Sequence, residues 1–172
     1  CIDSIKQKTT YENYELIIVD NNSIEPETIK YISELDCIKI KYKENFNFSK
    51  INNLAASYAN GDYIVFLNND IEIITDDWIQ SMLEHAQRKE VGAVGCKLLY
   101  PDGTIQHAGV ILGLSPDPMN MVAGHIFIKL NNVDHGYFGL IDTIRNYSAV
   151  TAAAMMVRKS VFDEVGGFDN NI

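Results

Sequence analysis

Apolar positions in the first half of the chain alternate between short unbroken runs and stretches of helical period. Cys1, Ile2 and Ile5 make residues 1–8 resemble an amphipathic helix already under way. Residues 15–20 read as a strand, Pro26 opens a helix with Ile29, Ile32 and Leu35 on one face, and residues 38–42 form a short strand. Ser49 is the expected cap of a helix whose inner face is Ile51, Leu54, Ala55 and Tyr58, closed by Asn60-Gly61. Residues 63–67 are apolar or aromatic throughout, as in a strand covered on both faces. From Asp76 a further helix buries Trp78, Ile79, Met82, Leu83 and Ala86. This alternation predicts an α/β fold with a doubly wound, mostly parallel central sheet and helices on both faces.

The second half has a different rhythm. Residues 91–99 read as one strand, Pro101-Asp102-Gly103 as a tight turn and residues 104–112 as the return strand, so a β-hairpin is added to the sheet. Residues 113–124 read as a mobile loop, residues 146–158 as a strand, and residues 160–165 as a short helix stopped by Gly166-Gly167. No repeat, low-complexity tract or linker interrupts the 172 residues, which suit a single domain with a full core.

Two of these strands share an ending. The 63–67 strand stops at Asn68-Asn69-Asp70, and the 15–20 strand ends in Asp20 followed by Asn21-Asn22-Ser23. Ligands of open α/β sheets sit at the carboxyl ends of strands. A carboxylate beside two amides is a hard oxygen cluster suited to Mg2+ or Mn2+ carrying a phosphate-bearing substrate. Asp20, Asn21 and Ser23 have the chemistry to meet a pyrimidine imide edge or ribose hydroxyls. Turn chemistry alone also explains either ending, since these residues favour turns; the repetition favours a site in which one ending holds a nucleoside and the other holds metal and phosphates. Lys50 and Asn53 lie on the first turns of the helix after Asn47-Phe48, where a helix N-terminus favours anions.

Composition narrows the classes. Hydrophobic residues make up 47% of the chain, and no apolar run approaches the roughly 20 residues needed to span a bilayer. The net charge of -9 argues against nucleic acid as a partner, and a nucleoside diphosphate would meet a repelling field unless a cation intervened. Cys1, Cys37 and Cys96 are odd in number and lack paired spacing, which points to a reducing cytoplasm. Cys96, His107, His125 and His135 show no zinc-ligand spacing; the histidines read as surface or packing residues.

Several motifs occur together: Val-Asp-Asn-Asn-Ser at 19–23, Phe-Leu-Asn-Asn-Asp at 66–70, Lys-Leu-Leu-Tyr-Pro-Asp-Gly-Thr-Ile-Gln-His-Ala-Gly at 97–109, Arg-Asn-Tyr-Ser-Ala-Val-Thr at 145–151 and Gly-Gly-Phe-Asp at 166–169. In order and spacing they resemble bacterial family 2 glycosyltransferases of the GT-A fold, above all the branch associated with rhamnosyl transfer and O-antigen-type polysaccharides. The resemblance implies inverting transfer from a nucleotide-diphosphate sugar to a saccharide or lipid-linked acceptor, with Mn2+ or Mg2+ held by Asp70. It implies a nucleotide-sugar site of Asp20, Asn21, Ser23, Lys50, Asn53, Asn68 and Asn69, and an acceptor side of Thr151, Gly166, Gly167, Phe168 and Asp169. Residues 1–90 would then be the nucleotide-sugar half and residues 91–172 the acceptor half. Asn68 replaces the first carboxylate of the wider Asp-x-Asp pattern, and Thr151-Ala152-Ala153 departs from the usual Thr-Gly-Ala.

The resemblance further implies a family strand before Cys1 and a catalytic carboxylate beyond Ile172. The expectation is therefore a segment cut at both ends, inactive alone, with an open sheet edge that invites self-association. Were turnover found in it, Asp142, Asp163 and Asp169 would be the candidate bases. The implied location is cytoplasmic, peripheral at the inner membrane face in a longer protein. Two other classes compete: a non-catalytic nucleotide-sugar or glycan-binding module on the same scaffold, and a nucleotidyltransferase, whose Gly-rich basic phosphate loop is not found in the sequence.

Overall fold

The computed structural model describes residues 1–113 and 123–171. In chain order they form α1 (Ile2–Lys8), β1 (Ile17–Asp20), α2 (Pro26–Glu34), β2 (Ile38–Lys41), α3 (Phe48–Tyr58), β3 (Tyr63–Leu67) and α4 (Trp78–Ala86). Then follow β4 (Ala93–Gly95), β5 (Leu98–Leu99), β6 (Ile105–His107), β7 (Val110–Leu112), β8 (Ala123–His125), β9 (Ala154–Arg158) and α5 (Lys159–Glu164). The architecture is α/β. The chain divides into two compact units: Cys1–Thr9 with Val65–Met156, and Thr10–Ile64 with Val157–Ile172.

In the second of these units β1 and β2 pair in parallel, in register from Ile17↔Ile38 to Asp20↔Lys41. Side chains alternate along β2, so Ile40 is buried while Lys39 and Lys41 are exposed. Pro26 opens α2 as expected, its fixed φ suiting the first helical position. The predicted inner face of α2 is only partly covered, Leu35 being buried and Ile29 exposed. The cap of α3 is Asn47, not Ser49. Asn47 has extended backbone angles and its Oδ1 accepts the Lys50 N–H at 2.8 Å, whereas Ser49 is already helical and buried. Ala56 occupies the buried position expected for Tyr58, which is exposed. After α3 the Glu15 carboxylate accepts from Asn60 N–H at 2.6 Å, Asn60 Nδ2 at 3.1 Å and Gly61 N–H at 3.2 Å, closing the turn into β3.

The helix α5 ends in a Schellman arrangement. Gly167 N–H donates to Phe162 C=O at 2.9 Å and Gly166 N–H to Asp163 C=O at 3.1 Å, with φ of +77° and +80° at the two glycines. The expected glycine stop is thus a structural necessity, because both residues adopt left-handed backbone.

The other unit shows why long predicted strands break. Residues 91–99 divide into β4, which pairs with β9, and β5, which pairs with β6. Gly95 closes β4, and a Cβ there would lie 2.6 Å from the Val150 side chain. The return strand divides at Gly109, whose φ is +125° and whose missing Cβ makes room for the Tyr147 ring. Hence β6 completes the predicted hairpin with β5, antiparallel, while β7 pairs with β8. Of the expected 146–158 strand only β9 forms; Ala149 makes a single bridge to Val110. Of the loop expected at 113–124, Ala123 and Gly124 belong to β8, and residues 114–122 lie outside the described residues. Among the described residues the strands assemble into four small sheets, β1-β2, β3-β9-β4, β5-β6 and β7-β8, where one central sheet was expected. Among the described residues Ile105, Met156 and His107 are the largest fully buried side chains. Among the described residues no helix is long and apolar enough to cross a membrane.

Candidate functional site

Strand β1 delivers Asp20 to its carboxyl end, where the side chain folds back on the chain. Asp20 Oδ1 accepts the Ser23 N–H at 2.9 Å. Hydrogen bonds from the Ser23 hydroxyl and N–H, and then the nearby Lys41 charge, hold the Asp20 carboxyl below the usual carboxylate range. It is an ionised acceptor at neutral pH. Asn21 has a different role: its Nδ2 donates to the carbonyls of Tyr42 and Glu44, both at 3.0 Å, tying the segment after β1 to the segment after β2.

Beyond β2 opens a hollow of about 640 Å³ lined by Lys41, Lys43, Glu44, Lys50, Asn53 and Asn170 among others. Three lysines against one glutamate make it locally cationic in a chain of net charge -9. Lys50 Nζ stands 3.9 Å from Glu44 Oε2 and is half exposed, so this pair is loose and solvent-screened. Lys41 and Lys43 were missed in the sequence. Their signal was the period-two alternation Ile38-Lys39-Ile40-Lys41-Tyr42-Lys43, which puts every lysine on one face.

Asn53, from the second turn of α3, clamps the glycine-rich segment. Its Oδ1 accepts Phe168 N–H at 2.9 Å, and its Nδ2 donates to Phe168 C=O at 2.8 Å and Asn170 Oδ1 at 3.0 Å. A Cβ on Gly167 would fall 2.6 Å from the same Oδ1. The Phe168 ring packs edge-on against Phe48 and Phe162, with centroids 5.7 and 5.3 Å away. Asp169 Oδ1 accepts from Asn171 N–H and Nδ2, both at 2.9 Å.

In the other unit Asn68, Asn69 and Asp70 are all exposed. Asn68 C=O accepts Ile71 N–H at 3.4 Å, closing a turn with Asn69 and Asp70 at its centre. The Asn68 N–H donates to Ala153 C=O at 2.9 Å, and Thr151 Oγ1 accepts the Ala153 N–H at 3.3 Å. Thr151, expected on the acceptor side, thus braces the turn that bears Asp70. Hard oxygens at the turn suit Mg2+ or Mn2+. Among the described residues no three His, Cys, Asp or Glu side chains come together around a metal position. One carboxylate beside two amides is a donor set that would hold Mg2+ only together with further oxygen ligands, since Mg2+ is commonly held by one or two carboxylates.

Cys96 and the three histidines weighed for zinc have other partners. Cys96 Sγ lies 3.4 Å from Met82 Sδ, and burial raises its thiol pKa to about 11. His135 Nδ1 meets Asp142 Oδ2 at 2.6 Å, and His107 meets His125.

Residues 1–166 match the family described as Glycosyl transferase family 2. The O-antigen biosynthesis protein RfbC of Myxococcus xanthus is 42% identical over 98% of this chain and 13% of its own length. The uncharacterized protein y4gI of Sinorhizobium fredii is 39% identical over 99% of the chain and 19% of its own length. The glycosyltransferase GlyG of Streptococcus pneumoniae is 26% identical over 55% of the chain and 32% of its own length. The chain thus spans a minor part of each of these relatives.

Proposed function

The chain belongs to glycosyl transferase family 2, and on that premise we propose that it serves inverting sugar transfer from a nucleotide-diphosphate sugar to a saccharide or lipid-linked acceptor in cell-surface polysaccharide biosynthesis. The observation that carries this reading is the cationic hollow beside Asp20. An ionised acceptor suits the imide N–H of a pyrimidine, and Lys41, Lys43 and Lys50 suit the diphosphate that follows it. Asn21 and Asn53 shape this region through the backbone, and Ser23 keeps Asp20 ionised. The β1-β2 parallel pair with its flanking helices is consistent with a GT-A arrangement.

Asp70, with Asn68 and Asn69 beside it, would hold Mn2+ or Mg2+. When bound, such an ion offsets negative charge on the departing diphosphate. Residues 91–172 would serve the acceptor, with Thr151 bracing the metal-bearing turn and the segment from Gly166 to Asp169 offering backbone close to a sugar. The acceptor hydroxyl attacks the anomeric carbon and loses its proton to a carboxylate base as the nucleoside diphosphate leaves.

Calorimetry with uridine diphosphate tests the reading. Mn2+ should strengthen binding to the wild type, and Asp70→Asn should lose that increment while keeping the metal-free component. Equal, metal-independent binding by both proteins would remove Asp70 from the site.

A further inference from the structure

A pair of histidines, linked to the 68–71 turn through residues 151–153, has no role in the proposed function. His107, at the end of β6, is only 1% exposed. Its Nδ1 stands 3.0 Å from Nδ1 of His125 in β8, and its Nε2 stands 3.4 Å from the backbone nitrogen of Thr151. A backbone N–H can only donate, so Nε2 of His107 is the unprotonated acceptor. In a neutral imidazole the proton then resides on Nδ1 and is donated to His125 Nδ1. Burial keeps the ring neutral, lowering its pKa to about 4. The network thereby fixes the His107 tautomer as Nδ1–H, with His125 accepting on its Nδ1.

From His107 the hydrogen bonds run on without a break. Thr151 gives its N–H to His107 and takes the Ala153 N–H on Oγ1; Ala153 C=O takes the Asn68 N–H; Asn68 C=O closes the turn around Asp70. All of these residues lie in one compact unit. We propose that His107 is a positioning residue for the turn that bears Asp70: by accepting the Thr151 N–H it fixes the 151–153 loop, and that loop fixes the turn. It touches no ligand. This deepens, and rests on, the reading of Asp70 as a metal ligand. Without the ring acceptor, a half-buried N–H loses its partner and the loop gains reason to rearrange. Small displacements of a positioned group carry large functional costs.

Three variants and three measurements test it. His107→Phe keeps the bulk and removes both nitrogens, whereas His107→Gln can restore an acceptor near Thr151. In the presence of uridine diphosphate, Mn2+ affinity should fall about tenfold in His107→Phe, the size of one lost hydrogen bond, and largely recover in His107→Gln. Amide exchange at Asn68 and Ala153 should quicken in the Phe variant and slow again in the Gln variant. Nitrogen-correlated NMR of wild-type histidine rings should show His107 protonated on Nδ1, a readout that needs no variant to fold. Unchanged exchange and unchanged Mn2+ affinity in His107→Phe, or a proton on Nε2 of wild-type His107, would overturn the proposal. Asp70→Asn separates the two ideas: if it binds Mn2+ like the wild type, the metal reading fails, and amide exchange still decides whether His107 holds the turn.

Discussion

At the end of β1 the polar side chains are tied to the backbone: Asp20 accepts from Ser23, Asn21 bridges two carbonyls, and Asn53 on α3 embraces both polar groups of Phe168. At the end of β3 the arrangement is reversed. There the backbone of Asn68 is tied, to Ala153 and Ile71, and the side chains of Asn68, Asn69 and Asp70 project into solvent. Near-identical sequence endings thus serve two purposes. The first builds a shaped, cationic hollow out of satisfied groups; the second presents oxygen donors on an anchored turn. A run of Asn and Asp at a strand end says that a chain turns there. The disposition of its hydrogen bonds separates side chains tied into the fold from side chains left exposed.

Acid should disturb the anchored turn most. The fold lowers the His107 pKa from an ordinary 6.5 to about 4, through burial first and His125 second. Between those values the unfolded chain binds the proton and the folded chain does not. Stability therefore falls as pH drops through that window, by on the order of 3 kcal/mol if His107 acts alone. Urea unfolding from pH 7 to pH 4 would show it, and His107→Gln should flatten that slope. An equal slope in the variant would detach the anchoring of the turn from the buried ring.

Asn53→Ala sharpens the contrast further. Removing three hydrogen bonds around Phe168 and Asn170 should cost roughly 1–3 kcal/mol of stability. Asp70→Ala, on an exposed turn, should change stability by less than about 0.5 kcal/mol. Paired denaturation curves check both, and reversal of their order would undo the division between scaffold and ligand groups.

Legibility in the sequence followed the same division. The strands β1, β2 and β3 and the helices α2, α3, α4 and α5 were readable because an apolar run or helical period, with Pro26 or Gly166-Gly167 as punctuation, is a local signal. The breaks at Gly95 and Gly109 were not, because each answers a distant side chain, Val150 and Tyr147. The same limit applies to Asn53 and His107. Their roles depend on Phe168 and Thr151, residues far along the chain that no periodicity brings together. Lys41 and Lys43 were readable in principle from alternation along β2 and its continuation.

Among the binding effects the smallest is expected at Lys50, whose charge is half exposed and loosely paired. Lys50→Ala should weaken uridine diphosphate binding a few-fold, about 1 kcal/mol or less, and raised salt should erase the difference. A salt-independent loss would mean that Lys50 shapes the hollow rather than supplying charge.

In the proposed function the hollow takes the nucleotide and the 68–71 turn takes the metal. Amide NMR during a two-step titration tests it most directly. Uridine diphosphate alone should shift residues 20–23 and 41–50, and Mn2+ added afterwards should broaden residues 68–71 first and most. Strongest broadening elsewhere, with residues 68–71 unaffected, would contradict the account.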